Sequence, residues 1–521
     1  MGRKKRTVER KYEVRNSFLR ITLALLSVLL QTLWLLLYFT ILNARYPWVN
    51  ALTTILGITL ALSVYMQRRP TSIKMSWIII MLALPVFGVF FYMWNSLGYA
   101  AINMKRRYAK IDRDIFDYLP GNEDRLAALT EIDRGLANQA RYITKYSKYP
   151  VWQNTDVVYH ADTLEALEDL KEELRRAEKF IFMEYYAVED GEAFAGIRAI
   201  LKQKAAEGVL VRFFYDDLGS VGFINPVFKE SMEADGIECR IFNPVVPIIN
   251  LFMNNRDHRK ITVIDGKVAF TGGYNLANEY FHMTEPYGYW KDSGVKITGD
   301  AVRSMTVTFF ENWYVLRRKG IEAVEEEYLP EIDYESKEHG FVQPYADQPM
   351  DSEQVGENVY LNMLSYAREY CWFVTPYLII TDEMSSAFTL AARRGVDVRI
   401  IIPRVPDKKF IFRVTKSFCP QLVRAGVKIY EYTPGFSHAK MCIADGEVAA
   451  CGTINLDYRS LYHHFENGIV IYRMMAVQAI RRDFERMFEE SRESSADYKQ
   501  NRLSVFKRFR DTILRLMSPL L

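Results

Sequence analysis

His258-Arg-Lys260-Ile-Thr-Val-Ile-Asp265 is followed by Gly272-Gly-Tyr-Asn275, and 180 residues later His438-Ala-Lys440-Met-Cys-Ile-Ala-Asp445 is followed by Gly452-Thr-Ile-Asn455. A single H-x-K arises often by chance. Five positions (His, Lys, Asp, Gly, Asn) recurring at one offset, in a chain with only seven histidines, do not. In an extended strand, residues two apart share a face, so His258 with Lys260, and His438 with Lys440, each present an imidazole beside an ammonium. That pairing suits a phosphate ester: the ammonium neutralises phosphoryl oxygens, and the imidazole attacks phosphorus or moves protons near neutral pH. Asn275 and Asn455 follow glycines that let backbone approach closely, so their amides can donate to the same oxygens. Asp265 and Asp445 complete the motif and are counted with the catalytic set. Lying five residues past each lysine, after an apolar run, they suit holding a loop or supporting the site better than doing chemistry. Glu279 and Glu466, downstream of each motif, are candidates to hydrogen-bond the imidazoles and set their tautomers. His160, His282, His339, His463 and His464 read as ordinary core or surface residues. The pattern lacks H-x(3)-H or clustered-carboxylate spacing, and a neighbouring lysine repels cations, so no metal and no cofactor is expected.

Working outward, the motif sits in a larger repeat. The β-like run Phe180 to Ala187 resembles Trp372 to Ile379, Gly208-Val-Leu-Val-Arg-Phe-Phe matches Gly395-Val-Asp-Val-Arg-Ile-Ile, and Gly236 to Pro244 matches Gly426 to Pro434. Strand, helix and strand in succession predict two α/β units, each a largely parallel sheet covered by helices, facing each other. Residues 151–320 form the first unit and 356–500 the second. The acidic, proline-bearing stretch 321–355 reads as a linker, and 105–150 as a linker helix. Residues 501–521 read as a basic amphipathic helix, suited to anionic lipid headgroups or to docking on the domain, with lipid the preferred partner in a membrane-anchored chain.

The remainder is membrane-like. Ile21 to Leu42, Tyr46 to Met66 and Met75 to Met104 carry no charged residue, and each is long enough to cross about 30 Å of hydrocarbon as a helix. Residues 21–104 are therefore a membrane region of two or three hydrophobic helices; Pro85 and Gly88 allow the third run to kink or to dip in without crossing. Basic clusters before the first run, between the second and third, and after the third cannot all lie on one side if every run crosses. The Asn43 to Trp48 connection reads as external, which makes residues 1–20 a basic cytoplasmic tail.

At 521 residues the chain holds about three domain-sized units, and 49% hydrophobic with 25% charged residues is the balance of folded protein. Its 67 basic and 64 acidic residues give +3, yet residues 1–20 hold eight basic against two acidic, so the rest is net negative. A duplex-coating nucleic-acid role is disfavoured. Five cysteines without a C-x-x-C pair suggest neither disulfides nor a zinc knuckle.

The paired H-x-K-x(4)-D motifs resemble those of the phospholipase D superfamily, and nearly the whole chain is similar to the bacterial cardiolipin synthases within it. Met183-Glu-Tyr-Tyr186, Tyr215-Asp-Asp-Leu-Gly-Ser220, Glu279-Tyr280, Trp290-Lys-Asp292, Thr375-Pro-Tyr377 and Gly435-Phe-Ser-His-Ala-Lys440 look like that family's signatures, as does Pro85-Val-Phe-Gly88 in the hydrophobic region. His464 stands where the family pattern has Asn. The resemblance implies two phospholipase D-like domains with the active site at their interface, following N-terminal transmembrane helices. It implies transfer between two phosphatidylglycerol molecules to give cardiolipin and glycerol through a phosphohistidine, with His258 as nucleophile and anionic membrane lipids as partners. It also implies a multi-pass protein of the bacterial cell membrane with its catalytic part on the cytoplasmic face. A membrane-bound phospholipase D hydrolase, or a phosphatidyltransferase with another donor or acceptor, shares the motif. The hydrophobic runs and the net-negative remainder argue against a nuclease, and two complete motifs argue against an inactive scaffold.

Overall fold

The apolar runs around each histidine motif become the middle of two sheets with one strand order. The computed structural model describes residues 22–23, 25–41, 44–67, 69–96, 99–245, 254–316, 326–351, 353–500, 511–516 and 518–520. In the first sheet the order is Thr155–His160, Gly294–Gly299, Val268–Gly272, Lys260–Ile264, Phe180–Tyr185, Leu210–Asp216, Glu238–Phe242. In the second it is Phe341–Asp347, Glu466–Tyr472, Val448–Gly452, Met441–Ala444, Tyr370–Val374, Asp397–Pro403, Lys428–Tyr432, with Ser491–Glu493 added at the edge. The repeat read in the sequence is thus a repeat of fold.

Every residue of Phe180–Tyr185 and of Tyr370–Val374 is buried, which is why these strands read as unbroken apolar runs. Alternate side chains serve two cores. Ile181 and Met183 pack under the outer helices with Leu167 and Phe194, while Phe180 and Phe182 face inward to a core shared with Phe309, Ile443, Ile471 and Phe484. The inner helices Val302–Leu316 and Met475–Glu489 each also touch an edge strand of the opposite sheet. One apolar core therefore locks the two units together.

The sheets are mixed, not largely parallel. Phe180–Tyr185, Leu210–Asp216 and Glu238–Phe242 are parallel, as the βαβ pattern requires. Each motif strand instead enters antiparallel and turns straight back. The turns are Asp265-Gly266, with φ of 53° and 67°, and Asp445-Gly446, with φ of 51° and 68°. Asp-Gly is the dipeptide that best tolerates two successive left-handed residues, and it is the signal for a hairpin that the repeat pattern obscured.

These turns also correct the place of the motif aspartates in the catalytic set. Asp265 accepts the backbone N–H groups of Glu178, Lys179 and Phe180, each at 2.8 Å. Asp445 accepts those of Arg368, Glu369 and Tyr370 at 2.7, 3.0 and 2.9 Å. Five extended residues put each carboxylate about 16 Å from its lysine. They clamp the turn to the chain entering the central strand.

Among the described residues, only Trp48–Met66, at 19 residues, is long and apolar enough to cross a membrane; Leu25–Ile41 is a shorter apolar helix. The third run breaks into Thr71–Ala83 and Pro85–Ser96, of 13 and 12 residues, about 20 and 18 Å long and short of a bilayer's hydrocarbon. Pro85 ends the first helix, and Gly88 lets the second fold back on it, since a Cβ there would meet Ile80 O at 2.5 Å and Met81 Cα at 2.7 Å. The stretch read as a linker helix is three helices, Tyr99–Ile115, Glu123–Ile132 and Arg134–Ser147. Leu514 is buried, and Arg515 lies on the Phe418 ring at 4.5 Å and donates to Gln421 at 3.0 Å, so this end of the chain docks on the second unit. The tail 1–20, the Asn43 end of the connection read as external, the linker residues 321–325 and residues 501–510 lie outside the described residues.

An Asp265→Asn variant keeps a residue that tolerates the turn but loses one acceptor, costing about 2 kcal/mol. Its thermal unfolding midpoint in detergent is expected to fall while turnover per folded molecule stays near wild type. Loss of turnover at unchanged stability would return Asp265 to the catalytic set.

Candidate active site

Each histidine is held by the backbone of the other unit. Asp257 bridges Phe465, His258 N–H donates to Phe465 O at 2.8 Å, and Phe465 N–H donates to Arg256 O at 2.8 Å. In the matching contact Gly435–Ser437 runs parallel to Tyr289–Lys291, and His438 N–H donates to Lys291 O at 2.7 Å. The residue that follows in each case is an acid. His258 Nδ1–H donates to Glu466, 2.9 Å from Oε2 and 3.0 Å from Oε1, and His438 Nδ1–H donates to Asp292 Oδ2 at 2.7 Å. A carboxylate only accepts, so both rings carry the proton on Nδ1 and keep the Nε2 lone pair free.

Glu466 therefore meets an imidazole, but that of the other copy, and Glu279 meets neither. Glu279 is half-buried near Glu189 and Asp407, and burial with those two charges pushes it up to about 7. The residue equivalent to Glu466 is Asp292. Asp292-Ser-Gly294 and Glu466-Asn-Gly468, 174 positions apart, each open the strand beside the motif hairpin. That acid-polar-glycine repeat is the signal that identifies the pair. Ser460 Oγ donates to Glu466 at 2.6 Å and Thr453 Oγ1 also donates to it, while Ser293 N–H donates to Asp292 at 2.9 Å. The carboxylates are thereby fixed in turn.

The lysines lie beside the rings. Lys260 Nζ donates to His258 O at 2.5 Å. Lys440 Nζ donates to His438 O and approaches His438 Nδ1 to 2.8 Å, a close approach only, because that nitrogen's proton goes to Asp292. All four groups are buried. Burial, then Lys260 and Lys440, hold His258 well below the usual imidazole range; burial and Lys440, against the pull of Asp292, push His438 down to about 4. Burial lowers Lys260 to about 7 and Lys440 to about 8. Asp292, although burial works against it, is held below the carboxylate range by Lys440 and His438. Crowded cationic groups in a dry site await an anion.

The two asparagines differ. Asn275 Oδ1 accepts Ala187 N–H at 3.0 Å and its amide donates to Tyr280 Oη at 2.8 Å. Asn455 is buried, and its Oδ1 has no hydrogen-bond partner among the described residues. Aromatic rings wall the histidines: Tyr186 lies 5.0 Å from the His258 ring, and Tyr280 and Trp290 each 5.4 Å from that of His438. His464 lies 5.5 Å from the His258 ring and, with Glu466, forms a trio whose ligand atoms fall within 4.8 Å of one another. Glu466 is already filled by His258, Ser460 and Thr453, and Lys260 stands beside it, so the trio does not favour a cation. Behind the motif strand lies a cavity of about 510 Å³ lined by Asp112, Asp117, Glu311 and Asp351 among others. Arg259, on the opposite strand face from His258 and Lys260, pairs with Glu311 at 2.6 Å. Four carboxylates against Arg113 and Lys148 on the same wall leave that cavity less suited to a phosphodiester than the lysine-bearing site between the histidines.

Asp292→Asn cannot hold the His438 tautomer, and turnover of a phosphodiester substrate is expected to fall about a hundredfold. Glu279→Gln is expected to leave turnover within about threefold of wild type, as an acid outside the histidine contacts should. The reverse ranking in steady-state rates would reinstate Glu279.

Residues 170–305 and 360–488, each holding one motif, match the family described as cardiolipin synthase, PLD-like domain, and residues 55–94 match the phospholipase D-nuclease N-terminal family. A cardiolipin synthase of Halalkalibacterium halodurans is 32% identical over 91% of this chain and 93% of its own. Cardiolipin synthase 2 of Bacillus cereus is 34% identical over 88% of each chain. The crystal structure of phosphatidylserine synthase from Haemophilus influenzae superposes with a TM-score of 0.55 at 15% identity, covering 74% of this chain and 100% of that one, a likeness of fold. With both halves matched and such relatives running nearly end to end, the chain belongs to the cardiolipin synthase family of paired phospholipase D-like domains.

Proposed function

We propose that the enzyme transfers a phosphatidyl group between two phosphatidylglycerol molecules, giving cardiolipin and glycerol. The observation that carries this reading is the pair of buried imidazoles, one from each repeat, each with Nδ1–H on a carboxylate of the other unit and a lysine beside it. In the first half-reaction His258 Nε2 attacks the phosphorus, the bond from phosphorus to the glycerol oxygen breaks, and protonated His438 gives its proton to that oxygen. In the second, His438 takes the proton of the acceptor's glycerol hydroxyl, whose oxygen displaces His258 from phosphorus. Lys260, Lys440 and the amides of Asn275 and Asn455 carry the charge on the five-coordinate phosphoryl group. Burial keeps water from competing with the lipid alcohol, which favours transfer over hydrolysis.

His438 is neutral at pH 7 without substrate. A phosphodiester anion about 5 Å away at an effective dielectric near 20 stabilises the imidazolium by about 3 kcal/mol, or roughly two pH units. The substrate thus moves the His438 titration toward neutral pH, so that a minor fraction of sites holds the general acid charged at pH 7 and a larger one below it. The chain is anchored in the bacterial cell membrane, with Leu25–Ile41 and Trp48–Met66 crossing and the hairpin Thr71–Ser96 entering without crossing, which leaves the catalytic part on the same cytoplasmic face as residues 1–20, beside the basic residues that flank these segments.

Solubilised protein incubated with headgroup-labelled phosphatidylglycerol and no added metal is expected to yield cardiolipin with matching glycerol, and His258→Ala or His438→Ala to lose at least about a thousandfold of it. Phosphatidic acid alone would make the enzyme a hydrolase. Calorimetric titration with a phosphodiester analogue at pH 6 and pH 7, in buffers of different ionisation enthalpy, is expected to report fractional proton uptake that is larger at pH 6; no uptake at pH 6 would sink the substrate-charged acid.

A further inference from the structure

The reaction joins two phosphodiesters through one glycerol, so the acceptor brings a second anionic phosphate, three carbons from the attacking oxygen. The motif lysines surround the reacting phosphorus. Lys408 offers a further cation at the mouth of the site. It caps the helix Lys409–Ala425, its side chain is 65% exposed, and its Nζ lies 5.4 Å from the centre of the Tyr377 ring. Tyr377 Oη donates to Asp407 Oδ2 at 2.5 Å, which pins the loop, while Asp407 stands 3.8 Å from Lys408 Nζ and pairs with it loosely. The next residue along, Leu378, bridges Leu456, which puts the Tyr377 backbone beside that of Asn455. The charge of Lys408 is also among those felt by His258.

The Asn455 side of the site differs from the Asn275 side in the way an incoming glycerol requires. Asn455 Oδ1 is a buried acceptor with no donor among the described residues, where Asn275 Oδ1 is filled by Ala187 N–H. A glycerol hydroxyl satisfies it. Leaving and attacking glycerols pass through the same place, but only the attacking one carries a phosphate.

We propose that Lys408 binds the phosphodiester of the acceptor lipid while the donor phosphorus sits between the histidines, and so selects an anionic glycerol headgroup over a neutral alcohol as acceptor. This rests on the phosphatidyl-transfer reading above. Mixed micelles of phosphatidylglycerol with ethanol present offer one phosphoenzyme two acceptors, and Lys408→Met and Lys408→Arg are compared with wild type. In Lys408→Met, cardiolipin is expected to fall about tenfold, the worth of one charge-assisted hydrogen bond, while phosphatidylethanol holds or rises. Lys408→Arg is expected to restore most of the cardiolipin. If both products fall together in Lys408→Met, or neither changes, the acceptor role is wrong. A wild-type enzyme that makes phosphatidylethanol but no cardiolipin would instead overturn the transfer reading, and this assignment with it.

Discussion

The active site depends on a reciprocal contact in which each unit supplies the backbone and the carboxylate that hold the other unit's histidine. His258 hangs on Phe465 and Glu466, and His438 on Lys291 and Asp292. Neither ring's Nδ1–H is accepted within its own repeat. An imidazole whose Nδ1–H has no acceptor is free to rotate and to change tautomer, and a buried carboxylate without a donor is costly. The two pairs therefore stabilise one another only when the units are docked. The shared inner core of Phe182, Phe309, Ile443 and Ile471 supplies the apolar burial that keeps them so.

Electrostatics then account for why such a site suits an anionic substrate. Two lysines and two imidazoles lie in a water-poor pocket whose burial and mutual repulsion lower every one of their proton affinities. Glu466 and Asp292 offset part of that charge, but both already serve ring nitrogens. A phosphodiester relieves the repulsion directly. In the proposed reaction, binding the phosphodiester also favours the charged acid, and the lysines meet the need for phosphate neutralisation that a metal ion meets elsewhere.

The N-terminal helices bear on the same contact. Tyr108, on Tyr99–Ile115, stacks on Phe465 at 4.9 Å and donates to Asn312 at 2.9 Å. Ser72, on the first helix of the broken hairpin, hydrogen-bonds Tyr458 at 2.7 Å, three residues past Asn455. The N-terminal apolar segments are therefore braced against the residues that position the histidines, so their orientation and that of the site are set by one set of contacts.

The motifs, the duplication and the βαβ half of each sheet were legible in the sequence because they rest on local regularities: period-two faces, glycine-opened strands and a repeat at constant offset. The Asp-Gly hairpins were equally local, though the parallel expectation masked them, and Asp265 and Asp445 follow from those turns. Which ring each acid meets was of another kind. The histidine–carboxylate contacts span 208 and 146 residues, between segments of different repeats. The acid-polar-glycine repeat marks Asp292 and Glu466 as counterparts, but no local pattern sets which of them meets which ring, since that is decided by how the two sheets pack. Likewise, Pro85 and Gly88 mark a break in the apolar run Met75 to Met104, but only the close approach of Gly88 to Ile80 shows that the break closes into a hairpin. The sequence by itself determined the chemical groups and the repeat that carries them; the tertiary structure alone decided which acid serves which histidine, because that depends on the docking of two surfaces far apart along the chain.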